Sequence, residues 1–244
     1  MKFFPHPFVN LACLLSFFGL SACSSQSPLP PSPGGSDPQR ELSKRISECP
    51  EPSILFVGNS YSFGVPKVFS KLAAEHGKKL RVGHATYGGW TLQQHSKNAP
   101  TLRKIREGRW DIVVIQEQSE IPALPPKKRD AAMFPPLREL VALVRQQGAI
   151  PILYQTWGRR DGDKKIRNDD FHAMSRRLRL GYQAASKNAG GLEIVPVGDA
   201  WEGEVSAGHG AALFAEDGSH PSPSGDQLTA KTFYQTIFDN SAGP

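Results

Sequence analysis

The chain has 244 residues, 39% of them apolar, and a net charge of +6. That size and apolar content suggest one α/β domain with ample core and no need for a second. No Walker phosphate loop, dinucleotide glycine fingerprint or His-Glu-x-x-His pair occurs, which takes the nucleotide-dependent and zinc-protease classes out of view.

The amino terminus reads as an export signal. Lys2 is followed by a mostly apolar segment from Phe8 to Leu20 and then by Leu20-Ser21-Ala22-Cys23; the apolar stretch is too short to span a membrane. The small residues before Cys23 resemble a bacterial lipobox. That resemblance implies a signal peptide over 1–22, diacylation of the Cys23 thiol and anchoring to a membrane at the cell envelope, with Ser24 pointing to the outer membrane of a Gram-negative cell. A plain secretory signal cut after Ala22 is the alternative. Residues 23–52, rich in Ser, Pro and Gly, read as a tether unable to bury a core. With Cys13 lost and Cys23 lipidated, Cys49 stands alone, leaving no internal disulfide and no cysteine-based metal site.

The folded domain is expected over 53–240. Ile54 to Gly58 is an apolar run stopped by glycine, the pattern of a parallel strand buried on both faces. A helix follows from Pro66 to Glu75, then a strand from Lys79 to Ala85, a loop over Thr86 to Trp90, and a helical segment interrupted at Pro100 and ending near Gly108. Asp111 to Gln116 is the third strand. After a Pro-rich loop, Pro135-Pro136 opens a helix with Leu137, Leu140, Val141 and Val144 on its buried stripe and Gly148 as its stop. Ala149 to Tyr154 and Glu193 to Val197 are the last strands, separated by a basic helix over Asn168 to Asn188. The final helix carries Ala230, Phe233, Tyr234, Ile237 and Phe238 at helical spacing. Five strands alternating with helices give a parallel sheet covered on both faces.

The chemistry is placed at Ser60, on the strand-to-helix turn at the carboxyl end of the first strand, where crevices form in open α/β sheets. Asn59-Ser60 alone also reads as turn or cap chemistry. The second element is Asp217-Gly218-Ser219-His220-Pro221. A carboxylate and an imidazole three residues apart on a tight turn can hydrogen-bond, fixing the tautomer that leaves the other ring nitrogen as a base. A serine hydroxyl needs such a base to become a nucleophile.

The two blocks together resemble the SGNH (GDSL-type) hydrolases, whose nucleophile follows the first strand and whose Asp-x-x-His pair precedes the last helix. The resemblance covers residues 53–238 and implies a three-layer α/β/α, flavodoxin-like fold with Ser60, Asp217 and His220 as the triad. It further implies an oxyanion hole built from the Ser60 amide, the Gly89 amide and a side-chain amide after the third strand. Gly88-Gly89 is equally explained by an ordinary turn. At the third strand the chain departs from the family's Gly-x-Asn-Asp, reading Ile115-Gln116-Glu117-Gln118-Ser119, which is similar to the Trp-His-Gln-Gly-Glu block of carbohydrate acetylesterases in the superfamily. Gln116, directly after Val113-Val114-Ile115, is the expected donor because a rigid strand holds it; Gln118 is the fallback on the same side. Asn59 stands where the family has aspartate.

The activity so implied is that of a serine esterase removing acyl groups, foremost O-acetyl groups of a glycan, with no metal or organic cofactor. A catalytically silent lipoprotein that binds glycan or a partner protein, and a lipase or thioesterase, are the alternatives. Arg176-Arg177-Leu178-Arg179 reads as a solvated helix face suited to anionic envelope polymers rather than nucleic acid. Asp161-Gly162-Asp163 and Asp169-Asp170 match no cation-wrapping loop, and Gly58-x-Ser60-x-Ser62 is not the α/β-hydrolase elbow. His76, His84, His95, His172 and His209 carry no motif and read as surface or core. Asp199-Ala200-Trp201 reads as a helix cap or crevice lining.

Overall fold

The computed structural model describes Met1 and residues 37–239. The expected signal peptide and Cys23 lie outside the described residues. In chain order the elements are α1 (Pro38–Glu48), β1 (Ser53–Gly58), α2 (Val65–Glu75), β2 (Arg81–Thr86), α3 (Leu92–His95), α4 (Ala99–Glu107), β3 (Ile112–Ile115), α5 (Pro126–Gln146), β4 (Ile150–Tyr154), α6 (Phe171–Asn188), β5 (Glu193–Val195), α7 (Val197–Ser206) and α8 (Pro223–Tyr234), with a π turn over Gln235–Asp239.

The strands form one sheet, order β2-β1-β3-β4-β5, every pair parallel. Because side chains alternate across a strand, each central strand feeds two cores. Ile54 and Phe56 of β1 join Phe69 of α2 and Phe233 of α8, with the Phe56 and Phe233 ring centres 5.2 Å apart. Leu55 and Val57 face the other way, toward Leu137 and Val141 of α5 and Tyr182 of α6. The result is the three-layer α/β/α arrangement that the unbroken apolar runs require. The order reverses at β1, which lies between β2 and β3, so the crevice of the sheet opens beyond the carboxyl ends of β1 and β3.

Three sequence expectations are corrected. The stretch read as a tether through residue 52 folds in its second half: α1 is capped by Asp37, whose side chain accepts from Gln39 N–H, starts with Pro38, and buries Leu42 completely against the α2 and α8 face. Its Arg45 donates to the Gly148 carbonyl at 2.8 Å. Helix α5 starts at Pro126 rather than Pro135; Pro135 and Pro136 lie inside it, where the helix continues despite two missing N–H donors. Strand β5 stops at Val195, and Val197 already belongs to α7, so Asp199-Ala200-Trp201 lies inside that helix, with Asp199 in its first turn accepting from Gln155 Nε2 at 2.7 Å.

Candidate active site

The apolar run of β1 ends at Gly58, and the reason is steric: a Cβ there would stand 2.4 Å from Gln116 Oε1. Asn59 then caps a single 3₁₀ turn, Ser60–Ser62, with its side chain accepting from Tyr61 N–H at 3.2 Å. This tight turn lifts Ser60 to the mouth of the crevice and keeps it half-buried.

Opposite it, Asp217 to His220 form the turn that precedes α8. Asp217 Oδ1 accepts the backbone N–H groups of Ser219 and His220 at 2.8 and 2.9 Å, while its Oδ2 lies 2.5 Å from His220 Nδ1. The His220 hydrogen bond, followed by those two amides, holds the Asp217 carboxyl down at about 2, so it stays ionised at any ordinary pH. With Nδ1 thus the protonated nitrogen, Nε2 is free to accept, and it lies 2.9 Å from Ser60 Oγ. Ser60, His220 and Asp217, separated by up to 160 residues of chain, form one continuous relay.

An aromatic column, unseen in the sequence, supports the imidazole. The His220 ring meets Tyr61 edge to face at 5.4 Å, Tyr61 stacks on Trp157 at 4.7 Å, and Trp157 stacks on Trp201 at 3.8 Å. Its polar ends grip the histidine turn: Tyr61 OH lies 2.6 Å from Ser219 Oγ, and Trp157 Nε1 donates to the Ser219 carbonyl at 3.1 Å. The signal available in the sequence was the run Gln155-Thr156-Trp157, polar and aromatic, directly after β4.

The cleft above Ser60 has a volume of about 390 Å³ and is walled by Gly88, Gly89, Gln118, Ser119 and Arg159 besides Ser60 and His220. Gly89 has φ +72°, a backbone that glycine adopts without strain. His95, motif-free in the sequence, is a core residue here: it lies under the Gly58 carbonyl at 2.8 Å, and burial lowers its proton affinity.

The two glutamines after β3 have different places. Gln116 is fully buried, its Oε1 accepting from Asn59 N–H and Ser62 Oγ at 2.9 and 3.0 Å and its Nε2 donating to Asn59 Oδ1 and the Glu117 carbonyl at 2.9 and 2.5 Å. Both amide hydrogens are thereby engaged, and none is left for a ligand. Gln118 lines the cleft, and its Oε1 accepts from Glu120 N–H at 2.8 Å. Arg159, also on the wall, pairs with Glu120 at 2.6 Å. Asn59 Nδ2 donates to the Trp90 carbonyl at 3.1 Å, tying the nucleophile turn to the glycine loop.

Among the described residues no group of three or more metal-ligating side chains converges, and no helix is long and apolar enough to cross a membrane. No protein-family model and no curated protein sequence matches the chain. Solved structures do. A candidate SGNH hydrolase from Slackia heliotrinireducens is 28% identical, with TM-score 0.62 over 77% of this chain and 99% of its own. A DUF4886 family protein from Bacteroides uniformis is 19% identical, TM-score 0.69, over 80% and 86%. An acetylxylan esterase, Axe2, from Geobacillus stearothermophilus is 19% identical, TM-score 0.59, over 77% and 94%.

Proposed function

The chain belongs to the SGNH hydrolase family, and from that premise we propose that it is a serine esterase acting on short acyl esters, foremost O-acetyl groups of a carbohydrate. The observation that carries this reading is the relay itself: Ser60 Oγ to His220 Nε2 at 2.9 Å and His220 Nδ1 to Asp217 at 2.5 Å. In the proposed mechanism Ser60 attacks the ester carbonyl as His220 takes its proton, and His220 then passes that proton to the leaving alkoxide. Asp217 stays ionised throughout, orienting the ring and stabilising the imidazolium. In the second half His220 draws a proton from water, whose oxygen attacks the acyl carbon; the bond from that carbon to Ser60 Oγ then breaks, His220 returns the proton to Ser60 Oγ, and the carboxylic acid leaves.

The negative charge on the tetrahedral oxygen needs donors fixed in advance. The backbone amides of Ser60 and Gly89 are two. The third is proposed to be Gln118 rather than Gln116, because Gln118 lines the cleft and only its oxygen is held, by Glu120 N–H, whereas both hydrogens of Gln116 are engaged.

The modest volume of the cleft, about 390 Å³, and the polar side chains of Asn59, Gln118, Ser119 and Ser219 in its lining favour a short acyl group over a long chain. The acetylxylan esterase among the similar structures supports a carbohydrate as the alcohol part. Lipidation of Cys23 and attachment to the outer membrane complete the proposal. An acyl-length series tests the substrate side: p-nitrophenyl acetate should exceed the octanoate in kcat/KM, and acetylated xylo-oligosaccharides should release acetate. Faster turnover of the octanoate would point to a lipase instead.

A further inference from the structure

Glu117 touches neither Ser60 nor His220, yet its carboxyl is fully buried beside them. One oxygen, Oε1, accepts two backbone N–H groups, that of Leu92 at 3.0 Å and that of Gln118 at 2.7 Å. These amides belong to the two segments facing each other across the cleft. Leu92 is the first residue of α3 and ends the loop that carries Gly88 and Gly89; Gln118 begins the loop after β3. The backbone carbonyl of Glu117 is held as well, by Gln116 Nε2 at 2.5 Å and Asn59 Nδ2 at 3.4 Å.

Burying a carboxyl is unfavourable, and the Glu117 Oε2 has no partner among the described residues. Burial also pushes this group up to about 7, far from an ordinary carboxylate. An apolar side chain would fill the same space at no such cost. What it could not supply is one oxygen shared by the two segments.

We propose that Glu117 is a positioning residue of the oxyanion hole, its Oε1 setting the spacing between the Gly89 amide and the Gln118 side chain. The inference rests on the esterase reading above. A displacement of either segment by about 1 Å would misplace a donor, which is enough to cost about two orders of magnitude in rate. A glutamine at 117 keeps an oxygen that can accept both N–H groups, so the role is separable from mere presence of a polar group.

The experiment compares wild type, Ser60→Ala, Glu117→Ala and Glu117→Gln on p-nitrophenyl acetate, the three proteins that keep Ser60 normalised to sites that react with a fluorophosphonate and Ser60→Ala to folded protein concentration. Glu117→Ala is expected to lose roughly 10²-fold in kcat with KM within about threefold, and Glu117→Gln to stay within about fivefold of wild type. Should Glu117→Ala not fold, Leu92→Pro removes the same bond from the other side. Proline suits the first helical position, and Thr91 before it is already extended; a loss of roughly tenfold or more in kcat is expected there. Amide exchange at Gln118, read on the folded proteins without substrate, should accelerate in Glu117→Ala and not in Glu117→Gln. Wild-type kcat in Glu117→Ala, or an equal fall in both Glu117 variants, overturns the proposal. If wild type turns over no ester, or Ser60→Ala turns over as well as wild type, the esterase reading fails instead, and the exchange data alone judge whether Glu117 clamps the two segments.

Discussion

Trp157 Nε1 donates to the Ser219 carbonyl at 3.1 Å while the indole ring is stacked between Tyr61 and Trp201. One side chain thus ties the end of β4 to the turn that carries His220. Trp157→Phe keeps most of the stack and leaves that carbonyl unpaired, so kcat should fall roughly tenfold with the fold intact. Trp157→Ala opens a cavity in the core and should cost about 3–5 kcal/mol of stability, read in urea unfolding.

Gln116 and Gln118 should separate stability from catalysis. Gln116→Ala strands the buried Asn59 N–H and the buried Ser62 hydroxyl, a loss of about 2–3 kcal/mol in denaturant unfolding. Gln118→Ala should leave unfolding almost unchanged and lower kcat by ~10² to 10³ with little change in KM. Catalytic loss confined to the Gln116 variant, with its stability unchanged, would return the donor to Gln116.

Buried carboxyls make stability depend on pH in a defined direction. Burial raises Glu117 to about 7 and Asp226 to about 6. The folded protein therefore holds protons that the unfolded chain releases, so this contribution is complete below the ordinary carboxyl range and disappears as pH rises toward 7. For Glu117 the change is at most about 3 kcal/mol. Urea unfolding of wild type should weaken between pH 5 and pH 8, and Glu117→Gln should show a shallower decline. Parallel slopes in the two proteins would contradict this.

Much of this was legible before the structure. Ile54 to Gly58 is buried on both faces and so is unbroken in the sequence, and Asp217 and His220 declare themselves because both sit on one short turn. Helix α1 was hidden because, of its eleven residues, only Leu42 is fully buried, and one apolar side chain makes no periodic signal. The aromatic column was hidden for a different reason: Tyr61, Trp157 and Ser219 meet from segments 62 or more residues apart. Alternation placed Gln116 and Gln118 on one side of β3. It could not show that the rigidity favouring Gln116 also folds its amide back onto Asn59.

Anchoring is tested apart from catalysis. Cys23→Ser should move the protein from the membrane to the soluble fraction, since stable attachment needs more than one acyl chain and this residue would carry them. A mature amino terminus at Ser24 or beyond in wild type would contradict lipidation at Cys23.

The central claim is that Ser60 is the nucleophile. The direct measurement is kcat of Ser60→Ala on p-nitrophenyl acetate beside wild type, with circular dichroism confirming the fold of both. A fall on the order of 10⁴ to 10⁶-fold is predicted, because without the hydroxyl only the oxyanion donors and binding remain. An alanine variant within about tenfold of wild type would contradict the account.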